Sequence, residues 1–278
     1  MGKKQHYRLF GEQIVSCNQP SQAWKQLEKV IPQREMHPRE LRKSSKSIRF
    51  VCLSDTHSLH DQIVAVPEGD VLIHAGDITK VGYPSEFYRF VEWLAELPHK
   101  HKIIVAGNHD ISFEIDYYQK NWPRFHSRTG KLPLDQLHDD IYDNPAFTYL
   151  KDSSITIEGI KIYGSPYQPA FFNWAFNLER GDACASKWSE IPKDTDILIT
   201  HGPPLGFGDL LHTGYRAGCV DLLAEIRQRV KPKFHVFGHI HEAAGVTTDG
   251  QTIFINASIC NLAYQPINIP LVFDYEIE

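Results

Sequence analysis

The 278-residue sequence predicts an α/β protein, and within that class a four-layer α/β/β/α sandwich. Three observations carry this. Short apolar runs alternate with an amphipathic helical stretch at the spacing of a βαβ unit. Two tight hairpins interrupt the second half of the chain. A hydrophobic content of 42% is ample for the core of one large domain, or two at most. Composition alone does not separate the four-layer arrangement from an ordinary three-layer α/β fold.

Taken in order, residues 1–47 are polar and rich in Gln, Lys, Arg and Ser, and are expected to form an extension packed loosely on a domain of residues 48–278. Within the extension, residues 21–30 can form a short helix with Trp24, Leu27 and Ile31 on one face. Residues 48–53 read as a buried strand running into Ser54 and Asp55, and residues 71–75 as a second running into Gly76 and Asp77. Residues 85–97 place Phe87, Phe90, Val91 and Leu94 at helical spacing and stop at Pro98. Residues 101–106 form a third strand, leading to Gly107 and Asn108. Asp77 and Asn108 are 31 residues apart (108 − 77), the length of a βαβ unit, so parallel strands are expected with their C-terminal ends on one edge. Ligands of open α/β sheets bind at that edge. Residues 111–150 read as irregular apart from a short helix near 133–139. Residues 154–158 and 160–164 alternate around Glu158-Gly159 as a hairpin, and residues 246–255 form another with Asp249-Gly250 at its turn. Strands are expected at 196–200, 234–237 and 271–275, and an amphipathic helix at 220–230.

The charge balance of 29 Lys and Arg against 34 Asp and Glu gives −5, so no global basic field favours duplex nucleic acid or an anionic membrane. Five scattered cysteines, none at zinc-finger or redox spacing, suit a reducing compartment, with Cys52 and Cys260 beside apolar runs as buried thiols. The first six residues have no apolar stretch behind them, and His6 stands where a myristoylation signal needs Ser or Thr. No run reaches the length of a membrane span. A cytoplasmic protein is the expectation.

Chemistry concentrates in five fragments, each directly after a strand-like run. They are Asp55-Thr-His57, Gly76-Asp77, Gly107-Asn-His-Asp110, Thr200-His-Gly-Pro-Pro204 and Gly238-His-Ile-His241. Hard and borderline divalent ions take carboxylate, amide oxygen and imidazole ligands, and the fragments offer that mix without thiolate. Any one of them alone reads as a solvated turn. Five at five strand ends supply seven ligands, enough for two ions about 3.5–4 Å apart, an arrangement suited to phosphate ester hydrolysis.

The set resembles the calcineurin-like metallophosphoesterase superfamily, whose motifs D-x-H, G-D, G-N-H-[DE], G/T-H and G-H-x-H appear here in order from Asp55 to His241. The longer text at residues 49–57, 200–207, 233–238 and 255–258 is similar to one branch, the metallophosphoesterase domain-containing brain protein family. The resemblance implies the four-layer sandwich and a metal-activated water as nucleophile. It implies two divalent ions, Mn²⁺ ahead of Fe, Zn, Co or Mg. Asp55, His57 and His241 would hold the first ion, Asn108, His201 and His239 the second, with Asp77 bridging. His109 would protonate the leaving group as general acid, and Asp110 would orient His109 or a ligand. Serine/threonine protein phosphatases of the superfamily extend the second motif to G-D-x-V-D-R-G. Gly76-Asp-Ile-Thr-Lys-Val-Gly82 lacks the second Asp and the Arg, which points toward small phosphodiesters or nucleotides. The expected substrates are phosphodiesters such as cyclic nucleotides. A phosphomonoesterase or nucleotidase, and a weakly active nucleotide-binding scaffold, are the alternatives. Residues 169–177 are aromatic and could stack a base or merely pack on the core. His60, Arg180, His212 and Arg216 are candidates to touch phosphate or plain surface residues, and His74 is expected to be a hydrogen-bonded core histidine.

Overall fold

The computed structural model describes residues 6–43 and 46–277, and every strand expected from residue 48 onward is formed. In chain order, β1 (Tyr7–Phe10) and β2 (Gln13–Ser16) form a hairpin, followed by α1 (Pro20–Leu27) and β3 (Arg34–Glu35). The βαβ segment then runs β4 (Ser47–Leu53), β5 (Val71–Ala75), α2 (Pro84–Glu96) and β6 (His101–Val105). Next come α3 (Ile115–His126), α4 (Asp135–Tyr142), β7 (Thr148–Tyr149), β8 (Ser153–Ile157), β9 (Ile160–Ser165), β10 (Gln168–Pro169) and β11 (Asn177–Leu178). The chain continues through α5 (Asp182–Ser189), β12 (Ile197–Thr200), α6 (Val220–Glu225), β13 (Phe234–Phe237), β14 (Gly245–Thr248), β15 (Ile253–Asn256) and β16 (Leu271–Glu276).

Two sheets result. One has the order β16-β4-β5-β6-β7, the other β3-β14-β15-β13-β12-β9-β8. Successive side chains of a strand point to opposite faces, and this alternation builds the layers. Ile73, Ile103, Ile197, Ile199, Val236 and Ile255 face one cluster shared by the two sheets. Their neighbours Leu72 and Ile104 turn outward onto Phe87, Phe90 and Leu94 of α2, Tyr118 of α3, and Leu137 and Ile141 of α4. Leu198, Phe237 and Phe254 turn the other way, onto α1, α5 and α6. Helix, sheet, sheet, helix is therefore the order through the molecule, as predicted.

Two expectations fail. The first is the loose packing of residues 1–47. Val15, Cys17, Trp24, Leu27 and Ile31 are buried in the same cluster as α5 and α6, and Trp24 packs edge-on against Phe207 at 5.7 Å between centroids. Strand β3 joins the seven-stranded sheet beside β14. A polar composition hid these five buried side chains, which lie on β2, on α1 and in the loops that follow them. The readings made for residues 1–5 lie outside the described residues. The second failure is the irregularity of residues 111–150, where α3 spans 12 residues despite an internal Pro123. Ile115, Tyr118, Trp122 and Phe125 follow helical spacing and all belong to one hydrophobic cluster, so burial offsets the hydrogen bond the proline cannot make.

All five cysteines are free and buried. Among the described residues no helix is long and apolar enough to cross a membrane.

Candidate metal centre

Strands β4, β5 and β6 are mutually parallel, as are β9, β12, β13 and β15. Their C-terminal ends release the five fragments onto one shared edge. Asp55 and His57 follow β4, Asp77 follows β5, Asn108 and His109 follow β6, His201 follows β12, and His239 and His241 follow β13.

The turns that aim these side chains are conformationally costly. Asp55, His57, Ser58, Asp77 and His239 all have φ between 43° and 68°. Each such non-glycine residue costs about 1 kcal/mol or more. Neighbouring loops hold them in place. The amides of Asp55, His57 and Ser58 donate to Gly76 O, Asp77 O and Ile78 O at 2.9, 3.0 and 2.8 Å. Two motif glycines are required by space. A Cβ at Gly107 would strike the Asp77 carboxylate and the His201 ring, and one at Gly238 would strike the Asp55 carboxylate.

The donor atoms converge. Ligand atoms of Asp55, His57 and His241 lie within 4.8 Å of one another, as do those of Asp77, His201 and His239, and of His57, Asp77 and His109. Asn108 Oδ1 is 3.0 Å from His201 Nε2. All seven predicted ligands therefore meet. His57 Nε2 and His241 Nε2 face each other at 3.2 Å. Two imidazole nitrogens aimed at one point suit a shared cation better than each other. His201 Nδ1 lies 2.9 Å from Ala75 O and His241 Nδ1 lies 3.1 Å from Asn261 O. Donation to these carbonyls puts the proton on Nδ1 and turns Nε2 inward as the ligand atom.

Electrostatics agree with a cation site. Burial opposes charge on every member, yet the imidazoles hold Asp55 and Asp77 below the usual carboxylate range. Burial is likewise outweighed at His201 and His241, where Asp77 and Asp55 respectively lift the rings to about 9. Burial pushes His57 and His239 down to about 3. The two carboxylates thus keep His201 and His241 protonated, divalent ions would displace those two protons, and two further imidazoles stand neutral, ready to ligate. The donor set of two carboxylates, four imidazoles and an amide fits such ions.

The supporting residues depart in part from expectation. His109 donates its backbone N–H to Asp77 Oδ1 at 2.8 Å, its Nδ1 lies 2.6 Å from Lys80 O, and its ring stacks on Trp174 at 4.2 Å. Asp110 does not orient His109. It is fully buried and accepts from Gly107 N, Thr79 N and Thr79 Oγ1 at 2.8 Å each and from Ile78 N at 3.2 Å. Its carboxylate pins the loop of Asp77 to the loop of Asn108. Burial, with Asp77 close by, raises its pKa to about 6.

None of the four phosphate candidates faces the centre with free charge. His60 is buried against Phe90 and Trp93, Arg180 donates to Ala217 O and Gly218 O, His212 pairs with Glu242, and Arg216 pairs with Asp209. His74 is a core histidine bonded to Thr56 Oγ1 at 2.9 Å, as expected. Tyr264 was not anticipated. Its ring lies 4.8 Å from that of His57 and 5.4 Å from that of His241. It stands eight residues past β15 in a loop with no motif, and only its aromatic character could have marked it.

A family profile described as calcineurin-like phosphoesterase matches residues 48–243. Human metallophosphoesterase domain-containing protein 1 is 48% identical over 247 residues, covering 85% of this chain and 74% of its own. A UPF0046 protein of Caenorhabditis elegans is 40% identical over 295 aligned residues, covering 100% of this chain and 73% of its own. One solved crystal structure superposes with a TM-score of 0.50 at 15% identity, over 76% of this chain and 90% of its own, a likeness of fold alone. The profile match begins one residue into β4 and ends two residues past His241, so it takes in every loop that feeds the centre. On these grounds the chain belongs to the calcineurin-like phosphoesterase family, and is with it a phosphoester hydrolase that uses divalent metal.

Proposed function

We propose that this hydrolase is a phosphodiesterase acting on small phosphodiesters such as cyclic nucleotides, with two divalent ions held side by side and Mn²⁺ as the expected ion. The observation that carries the two-ion reading is Asp77. Its Oδ2 lies 3.7 Å from His57 Nε2 and its Oδ1 lies 3.4 Å from His201 Nε2, so its two oxygens face the two ligand groups. Asp55, His57 and His241 would hold one ion, and Asn108, His201 and His239 the other. When bound, such a pair neutralises phosphoryl oxygens and makes water acidic enough to attack at neutral pH.

The chain's own residues supply the rest. His109 is fixed by Lys80 O and by the Trp174 ring, which leaves Nε2 as its free nitrogen beside His57 and Asp77. From there it can pass a proton to the departing alkoxide. Arg180 and Arg216 are committed elsewhere. A diester with one negative charge suits a centre without a spare arginine better than a doubly charged monoester does. The five unpaired cysteines support a reducing, cytoplasmic setting.

Metal-stripped protein should regain hydrolysis of bis-p-nitrophenyl phosphate on addition of Mn²⁺, and Asp77→Ala should not. Silence toward this diester with two ions demonstrably bound would move the reading to a phosphomonoesterase or nucleotidase, or to a nucleotide-binding scaffold.

A further inference from the structure

Two aromatic rings that the reaction does not use stand at different ends of the histidine cluster. Tyr264 covers the Asp55 half, with centroids 4.8 Å from His57, 5.4 Å from His241 and 6.2 Å from His109. Phe171 meets the other half edge-on, 5.4 Å from His239. Tyr264 is 46% and Phe171 44% exposed, so each rests one part on an imidazole and leaves the other open. Neither belongs to any of the three hydrophobic clusters, so core packing does not explain them.

Both loops maintain these rings against backbone preference. Tyr264 has φ 55°, and its N–H donates to Asn261 O at 2.9 Å, the same carbonyl that holds His241 Nδ1. The Asn261 side chain also accepts from Ala263 N and Gln265 N at 2.9 and 3.0 Å. On the other side, Phe171 N–H donates to Asn177 Oδ1 at 3.2 Å, and its carbonyl accepts from Asn177 Nδ2 at 3.0 Å. The next two residues, Phe172 and Asn173, have φ 45° and 52°, and the Asn173 carbonyl accepts from Tyr117 Oη and Arg124 Nη1 at 2.6 Å each. Left-handed non-glycine backbone persists only where the surroundings over-determine it, and such positions gather at ligand clamps.

We propose that Phe171 and Tyr264 are specificity-determining residues that stack on the nucleobase of a nucleotide ester while its phosphorus faces the histidines. This rests on the phosphodiesterase reading and names the part of the substrate that the motifs leave open. A base offers a π-face to such rings, whereas the glycerol or sugar of other phosphate esters does not.

The test is calorimetric titration of the Mn²⁺-loaded protein with adenosine 5′-monophosphate and with ribose 5-phosphate, which differ by the base. The nucleotide should bind about tenfold more tightly or better. Phe171→Ala and Tyr264→Ala should each reduce that advantage, and Tyr264→Phe should keep it. Phe171→Ala removes a ring outside the core, so it decides the matter even if Tyr264→Ala fails to fold. Equal affinity for the two ligands in the native protein, or an undiminished advantage in Phe171→Ala, overturns the proposal. Turnover of thymidine 5′-(p-nitrophenyl phosphate) against methyl p-nitrophenyl phosphate reads the reaction separately. A nucleotide advantage in binding with neither ester cleaved supports stacking and removes the diesterase reading. Cleavage of both at equal kcat/KM with no binding advantage does the reverse.

Discussion

His109 is tied at its backbone to the carboxylate that serves both ligand groups and at Nδ1 to Lys80 O, and its free nitrogen is the only part left to act. Its removal should therefore separate chemistry from metal binding. His109→Ala should retain metal, measured by elemental analysis. It should cleave a diester with an alkoxide leaving group about 10²–10⁴-fold more slowly, and the p-nitrophenyl ester, whose leaving group needs no proton, with far less loss. An equal loss on both esters would assign His109 a structural role. The convergence of the seven proposed ligands was legible because each stands within four residues of a strand end, where the chain has little freedom to aim elsewhere. Asp110 was expected to orient His109 or a ligand, and sequence adjacency to His109 does not say which way it turns. Its carboxylate turns inward to three backbone amides and the Thr79 hydroxyl, and only the folded loops reveal them.

The loops themselves depend on residues that carry no chemistry. Gly107 leaves no room for a side chain between Asp77 and His201, so Gly107→Ala should lose metal and activity nearly as fully as Asp77→Ala while the far-ultraviolet spectrum stays native. Retained metal stoichiometry would show that the loop can yield. At the opposite edge of the five-stranded sheet, Asp274 of β16 is 2% exposed and accepts from Arg49 Nε at 2.8 Å, Arg49 Nη2 at 3.2 Å and Lys43 N at 2.9 Å. Burial alone would raise its pKa, but Arg49 and the Lys43 amide bring it below the usual aspartate range. A depressed carboxylate stabilises the fold above its unfolded pKa, and the contribution is lost as pH falls through the folded one. Asp274→Asn should therefore cost about 1–2 kcal/mol at pH 7 and progressively less below pH 4, read by urea unfolding. An identical cost at pH 7 and pH 3 would show that packing, not charge, is at stake. The strands were legible as short apolar runs, and the hairpins from the tight turns at Glu158-Gly159 and Asp249-Gly250. Helix α3 was not, because Pro123 reads locally as a stop, and the packing of Ile115, Tyr118, Trp122 and Phe125 that offsets it shows only in the fold.

Across the whole molecule, the centre lies where the two sheets meet. Asp55, Asp77 and Asn108 come from the five-stranded sheet, and His201, His239 and His241 from the seven-stranded one. An ion held by both halves ties the sheets together and stabilises the fold by linkage, by about 4 kcal/mol at a metal concentration 1,000 times Kd. The size of this effect should depend on pH in a definite direction. In the metal-free chain His201 and His241 hold protons up to about 9, against 6.5 for a free imidazole. Those protons stabilise the metal-free fold fully below about 6.5, and that stabilisation drains away as pH rises through 9. Metal must displace the same protons, so its binding strengthens over the same interval. These are one displacement seen from its two sides, and it widens the gap between the two forms as pH rises. The difference in Tm between Mn²⁺-loaded and chelator-treated protein should therefore grow steadily from pH 6.5 to pH 9. A difference that stays constant or shrinks across that range would mean that the bound ion does not compete for the imidazoles of His201 and His241, and the ligand assignment drawn from the strand ends would fall with it.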